Sequence, residues 1–244
     1  MYLDSNGELH LGEKTRSVRT NRLRAYWEGF AFVRGNPAGE ASVAEFLSAV
    51  EQGGLENAYQ RLSGSYVIAV RDDNADEWTA FTDAARMLPL YYADDAFSSS
   101  FLDLAALTGA GESDLILECV AEFVLTGLQF GPNVLFPKVR LVDSGSVVRW
   151  KSGRTFIDSR EEHVDDPFCL APLRSPVRAF LDEWEPIAAS IEGEKVSVDL
   201  TGGTDTRVIV GALDALGLEF ETAVSGASAH SDVSISREIE RAME

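Results

Sequence analysis

Lysine, cysteine and histidine are scarce in this sequence, and each shortage removes a class of function. The only lysines are Lys14, Lys138, Lys151 and Lys195, and 21 basic residues against 40 acidic ones give a formal charge of −19. A chain this acidic is not drawn by its net field to nucleic acid or to an anionic membrane, so neither is expected as a partner. The two cysteines, Cys119 and Cys169, have no C-x-x-C partner. Cys119, within Leu115-Ile116-Leu117-Glu118-Cys119-Val120, reads as a buried, inert thiol. The three histidines, His10, His163 and His230, form no H-x-x-x-H pair, which argues against a zinc or di-iron site. No run approaches the roughly 18–20 apolar residues of a membrane span. Met1–Asn6 shows no basic stretch leading into an apolar one, so no signal peptide is read and a cytoplasmic location is expected.

What is present reads as two domains in 244 residues, a length that allows one large core or two modest ones. Residues 24–34 read as a strand, followed by a turn at Gly35-Asn36-Pro37. Ser42 and Glu45 suggest a capping box opening a helix with Val43, Phe46, Leu47 and Val50 as its apolar stripe. A second short helix is expected at about 55–62. Residues 65–71 and 77–82 read as a hairpin around the polar turn Asp72–Asp76. Further strands are expected at 89–93 and 97–101, then helices at about 102–107 and 115–126, the latter with Leu117, Val120 and Val124 at helical spacing. Strands at 138–142 and 147–150, joined by Asp143-Ser144-Gly145, complete a pattern of antiparallel strands with helices. Residues 1–160 are therefore expected to form an α+β layered domain. The acidic, proline-containing residues 161–176 read as a linker. Residues 177–244 then alternate helix, strand (195–200), helix (207–216), strand (219–224) and helix, the start of an α/β parallel sheet. Two strands cannot bury both faces of such a sheet, so the chain reads as part of a longer protein.

One loop carries chemistry. Leu200 ends a strand, and Thr201-Gly202-Gly203-Thr204-Asp205-Thr206 leads into a helix, so backbone N–H groups gather where the helix dipole favours anions. Gly202 and Gly203 leave space for a phosphate to approach the backbone. Thr201, Thr204 and Thr206 add hydroxyls, and Asp205 adds one hard oxygen ligand for magnesium. The Walker pattern and G-x-G-x-x-G are both absent, and an acid inside the loop favours metal-bound nucleotide. A plain Gly-Gly turn whose Thr and Asp cap a helix is the alternative.

The segment Val198–Arg207 resembles the S-G-G-x-D-S signature of ATP pyrophosphatases, and the wider chain resembles the asparagine synthetase family. Leu62-Ser63-Gly64-Ser65-Tyr66-Val67-Ile68-Ala69 is similar to that family's l-x-G-x-f-a-f-a strand, Asp83 through Pro89-Leu90-Tyr91-Tyr92 to its D-x-x-G-x-x-P-L-Y-Y, and Leu141–Gly145 to its l-x-P-G hairpin. The resemblance implies an Ntn-hydrolase-like glutaminase sandwich over residues 1–160, followed by the N-terminal part of a PP-loop synthetase domain. The family's nucleophile is a cysteine at the exposed N-terminus. This chain instead begins Met1-Tyr2, its N-G-E motif is replaced by Trp27-Glu28-Gly29, and no R-G-x-D-x-x-G is found. Glutaminase activity is not expected, and no residue of the segment is assigned as catalytic.

The resemblance further implies ATP and Mg²⁺ as cofactors, with Leu200, Thr201, Gly202, Gly203, Thr204, Asp205, Thr206 and Val224 around the nucleotide and Asp205 on the metal. The implied activity is AMP-forming activation of a small carboxylate, aspartate or an analogue, and its capture by ammonia or an amine, as in the β-lactam synthetase and lasso-peptide cyclase relatives. A homodimer is compatible with this reading. Two alternatives stay open: a non-catalytic scaffold with a degenerate amidotransferase-like domain, and another PP-loop pyrophosphatase. Asp232 matches an acidic family position, and a plain helix cap explains it equally well.

Overall fold

The longest alternating stretches of the sequence pair with one another. A computed structural model describes residues 1–33, 36–129, 133–159 and 175–243, and the chain divides into two compact units, Met1–Leu170 and Ala171–Glu244. The linker expected at 161–176 lies outside the described residues, apart from Ser175 and Pro176. In the first unit the order is β1 (Tyr2–Leu3), β2 (Leu9–His10), β3 (Arg16–Arg19), β4 (Leu23–Val33), α1 (Glu40–Tyr59), β5 (Leu62–Asp72), β6 (Glu77–Thr82), β7 (Tyr91–Tyr92), β8 (Phe97–Ser98), α2 (Phe101–Leu107), α3 (Leu117–Thr126), β9 (Arg140–Leu141), β10 (Ser146–Lys151) and β11 (Arg154–Ser159). Two antiparallel sheets result, one of order β11-β10-β6-β5-β4-β3 and one of order β2-β1-β8-β7-β9.

Alternation along the strands builds the layers. On β5, Tyr66, Ile68 and Val70 face α1 and pack with Val43, Phe46 and Leu47, joined by Trp27 and Phe81. The intervening Val67 and Ala69 face the other way and, with Trp78, Ala80, Val148 and Trp150, meet Leu3, Leu90, Phe97 and Val142 of the second sheet's side. Beyond that sheet a third cluster joins Ala93, Ala96, Val134 and Val139 to Leu104 of α2. The first unit is thus a helix, sheet, sheet, helix sandwich of the α+β class. Each fully buried large side chain in it contributes about 1.5–3 kcal/mol.

Gly29 and Gly64 allow β4 and β5 to approach where they pair. Both have positive φ (+86° and +116°), and a Cβ would overlap the Ser65 carbonyl at Gly29 and the Phe30 carbonyl at Gly64. Asp83 stabilises the turn after β6. Its buried carboxylate accepts from the N–H groups of Tyr66 (3.2 Å), Met87 (3.2 Å) and Leu88 (3.4 Å). Three residues later Arg86, where the resembled motif has glycine, holds a left-handed φ of +53°.

Several expectations change. The hairpin of residues 65–71 and 77–82 forms, with Asp72 opposite Glu77. Ser42 is not a cap: α1 begins at Glu40 behind Gly39, and the buried Ser42 hydroxyl donates to the Pro37 carbonyl and accepts from the Val33 N–H. Glu45 instead accepts from Asn36 and pairs with Arg61. The helix expected at 55–62 continues α1 across a kink at Gly54 (φ +82°) and ends at Tyr59. The strands at 89–93 and 97–101 shrink to two-residue pairs. The segment joined by Asp143-Ser144-Gly145 is not a hairpin, because β9 pairs with β7 in one sheet and β10 with β6 and β11 in the other. That turn carries the chain from sheet to sheet.

The second unit contains α4 (Pro176–Ser190), β12 (Ser197–Asp199), α5 (Thr204–Ala215), β13 (Glu221–Ala223) and α6 (Ser231–Met243). Ser175 caps α4 by accepting from the Arg178 N–H, with Pro176 in the first turn, where its missing donor costs nothing. β12 and β13 pair in parallel, Ser197 opposite Glu221 and Asp199 opposite Ala223. Leu200, Val210, Leu213 and Val233 are buried in this unit. Among the described residues no helix is long and apolar enough to cross a membrane.

Candidate functional site

The glycine loop lies where its sequence places it, between parallel β12 and α5, and its backbone is fixed from three sides. The Leu200 N–H donates to the Ala223 carbonyl of β13 (2.7 Å). The Leu200 carbonyl accepts from the Ser236 hydroxyl of α6 (2.5 Å), and Ser236 is itself buried. Within the loop the Thr201 and Thr206 hydroxyls lie 3.2 Å apart, Thr206 Oγ1 accepts from the Thr201 N–H (3.3 Å), and Thr201 Oγ1 accepts from the Gly203 N–H (3.2 Å). The two threonines therefore staple the turn, a role that either hydroxyl residue could fill.

Gly203 is the N-cap of α5 with extended backbone (φ −69°, ψ 157°), and neither loop glycine has positive φ. Space, not backbone conformation, is what glycine supplies here. A Cβ at Gly202 would lie 2.9 Å from Ile235 Cδ1 and 3.1 Å from Asp232 Oδ1. Thr204 and Asp205 form the first turn of α5 and are exposed. Arg207, whose role the sequence left open, donates from Nε to the Gly203 carbonyl (3.1 Å) and so braces the loop. Val224 follows directly on β13 and is half-buried.

Asp232 was read equally as a plain helix cap or a family position, and the geometry removes the first reading. It is the second residue of α6, and its Oδ1 accepts from the Gly202 N–H at 3.2 Å. Its own N–H donates to His230 Nδ1 (3.3 Å). A carboxylate oxygen thus already engages one of the loop amides, thirty residues away in sequence. The loop does accept an oxyanion, and the protein supplies one.

In the first unit, the first residue of the chain is held by a cluster of side chains. The Met1 ammonium, almost wholly buried, donates to Glu28 Oε1 (2.6 Å) and to Ser99 Oγ (2.9 Å). Glu28 also accepts from Thr15 Oγ1 (2.8 Å) and from Ser99 Oγ at Oε2 (2.7 Å). Burial pushes the Glu28 carboxyl up, but the bonds from Met1, Ser99 and Thr15 outweigh it and hold the group below its ordinary range. The amine is held as one half of an ion pair. The sequence signal for this clamp was slight: one acid, Glu28, in the otherwise apolar strand Ala25–Val33.

Cys119 is buried on α3, and its thiol is pushed up by burial and then by Glu122 and Glu118. It is a thiol and not a thiolate at neutral pH, so it does not replace a nucleophile. Cys169 lies outside the described residues, as does His163. His10 Nε2 lies 3.2 Å from Asp4 Oδ2 and its ring stacks on Tyr2.

No family model and no curated protein matches the chain. Among solved structures it is similar to the allosteric regulatory enzyme of purine biosynthesis, at 12% identity over 88% of this chain and 63% of that one, with a TM-score of 0.35. It is also similar to glutamine phosphoribosylpyrophosphate amidotransferase from B. subtilis complexed with ADP and GMP, at 12% identity over 85% of this chain and 47% of that one, with a TM-score of 0.33. The chain spans less than two thirds of either relative. At this level the likeness bears no weight, and the sandwich assignment rests on strand pairing.

Proposed function

We propose that the chain supplies the ATP-binding loop of an AMP-forming, carboxylate-activating ligase of the asparagine synthetase type that does not hydrolyse glutamine. The observation that supports this most is the loop between parallel β12 and α5. It combines an amide at Gly202 that donates to a carboxylate oxygen with the exposed Asp205 in the first helical turn. These residues fit a nucleotide phosphate with its metal. The donors are backbone amides at a helix N-terminus, and Asp205 makes no hydrogen bond or ion pair among the described residues, so its carboxylate is free to serve as one hard oxygen ligand.

When bound, magnesium would neutralise charge on the departing pyrophosphate. The chain's own contribution is positional. Thr201 and Thr206 hold the loop shape, Arg207 braces the Gly203 carbonyl, and Ser236 ties Leu200 to α6. In this reading free ammonia or a substrate amine is the nucleophile toward the activated carboxylate, aspartate or an analogue. The test is calorimetric titration with ATP·Mg²⁺ of the protein and its Asp205→Ala variant. A loss of at least tenfold in affinity is expected, and equal affinity would refute the assignment of Asp205.

A further inference from the structure

Helix α3 is apolar on the side that faces away from the core of the first unit. Its inner side carries Cys119, buried, with Ile116 and Val120 half-buried. Its outer side carries Leu117, Ala121, Val124 and Leu125, recurring at i, i+4, i+7 and i+8, and Leu128 continues the stripe just past the left-handed Gly127 cap. Leu117 is 73% exposed, Val124 75%, Leu125 84% and Leu128 60%. A helix apolar all round is normally covered on every side. A contiguous aliphatic stripe on this scale, on the order of a few hundred Å², marks a contact surface on a soluble protein.

Charge around the stripe selects what can cover it. Glu118 is exposed on the helix beside it, and Glu112 and Asp114 are exposed in the turn that leads to its first residue. From Met87 to Pro137 the sequence contains no lysine, arginine or histidine, while Asp94, Asp95, Asp103, Glu112, Asp114, Glu118 and Glu122 all fall in that stretch. A second copy docked by the same face would set acid against acid in a chain already at −19, and like charges facing each other disfavour the pairing. An anionic bilayer is disfavoured for the same reason.

We propose that the outer face of α3 docks an amphipathic helical segment of a partner protein, with aliphatic anchors on one face and lysine or arginine on its flanks. The ten residues of α3 span ~15 Å at 1.5 Å per residue, the length of about three turns of a partner helix. Helix-in-groove recognition of this kind reads anchors at i, i+3, i+4 and i+7, and flanking charge sets the choice of partner.

The test uses a fluorescently labelled helical peptide of leucine and lysine, leucines on one face, and its counterpart with glutamate in place of lysine. Anisotropy titrations are made against the whole chain, against Val124→Ser/Leu125→Ser, and against Glu112→Gln/Glu118→Gln. Both double substitutions alter solvent-facing side chains, so folding is retained, and circular dichroism checks this. The lysine peptide is expected to bind the unaltered chain, at least tenfold more weakly to the serine variant, and several-fold more weakly with a flatter salt dependence to the glutamine variant. The glutamate peptide should not bind. Equal binding of the lysine peptide to the unaltered chain and the serine variant would overturn the proposal, because net charge alone would then account for it. It is overturned equally by no binding to the unaltered chain, by equal binding of both peptides, or by a dimer in sedimentation that Val124→Ser/Leu125→Ser abolishes.

Discussion

Replacing Glu28 by glutamine tests how the N-terminal clamp stabilises the sandwich. The carboxylate accepts from the Met1 ammonium at 2.6 Å, from Ser99 at 2.7 Å and from Thr15 at 2.8 Å, and its side chain is only 19% exposed. Hydrogen bonds to charged groups contribute about 1.5–3 kcal/mol each, and breaking a buried pair by neutralising one partner costs about 3–5 kcal/mol. Glutamine keeps the shape and one acceptor oxygen, so the expected loss at neutral pH is about 2–3 kcal/mol. Urea unfolding followed by tryptophan emission measures it, since Trp27, Trp78 and Trp150 lie in the first unit's cores. The folded carboxyl lies below its usual range of about 4.5. Its stabilisation is therefore complete above that range and is lost as pH falls through the folded value. The gap between the protein and the glutamine variant should narrow as the pH falls below that range. In protein carrying one extra residue before Met1, which converts the amine to an amide, the substitution should cost less than about 1 kcal/mol. A loss below about 1 kcal/mol with the amine free, or a gap that widens in acid, would refute the reasoning.

The remaining expectations concern the turn after β6 and the loop. Asp83→Ala leaves the buried Tyr66 N–H and the partly buried Met87 and Leu88 N–H groups without their carboxylate acceptor and should cost about 2–3 kcal/mol in the same unfolding assay. Arg86→Gly relieves a left-handed φ worth about 1–2 kcal/mol but adds about 0.5–1 kcal/mol of unfolded-chain entropy. It also loses an exposed pair with Asp143 at 3.5 Å that contributes little. The expected net is a stabilisation of about 0.5 kcal/mol, read as a small rise in the thermal midpoint. Asp232→Ala frees the Gly202 N–H and, under the proposed function, should strengthen ATP·Mg²⁺ binding several-fold in calorimetry; weaker binding would make Asp232 a ligand of the metal instead of a competitor of the phosphate.

The legible parts of the fold were those set by local pattern. The β5–β6 hairpin follows from alternation on both sides of a polar turn, and the existence of α5 follows from two glycines after a strand, although it begins at Thr204 and not at the expected 207, so that Thr204, Asp205 and Thr206 belong to the helix. What was not legible depended on partners far away in sequence. Ser42 and Glu45 have the spacing of a cap, but the Ser42 hydroxyl is committed to Pro37 and Val33 across a buried corner. The residues of β9 and β10 read correctly as strands, yet periodicity does not say which sheet each joins. The stripe of α3 shows the right period with no indication of which side faces in. At the site the loop was visible, whereas Asp232 reaches Gly202, and Ser236 reaches Leu200, only through the packing of α6. The two-residue strands β1 and β2 carry too few side chains for any pattern.

The order β2-β1-β8-β7-β9 places the first residues of the chain inside a sheet and not at its edge. Tyr2 and Leu3 pair with Ser98 and Phe97, and the core above them is completed by Val148 and Trp150. During synthesis at about 5–20 residues per second, β1 emerges on the order of ten seconds before the residues that bury it. Contacts this distant along the chain make folding slow, since loop closure precedes the gain from pairing. The sandwich can close only after β10 has left the ribosome. A shortened chain ending before that point would leave Leu3 and Phe97 uncovered and would be prone to aggregate.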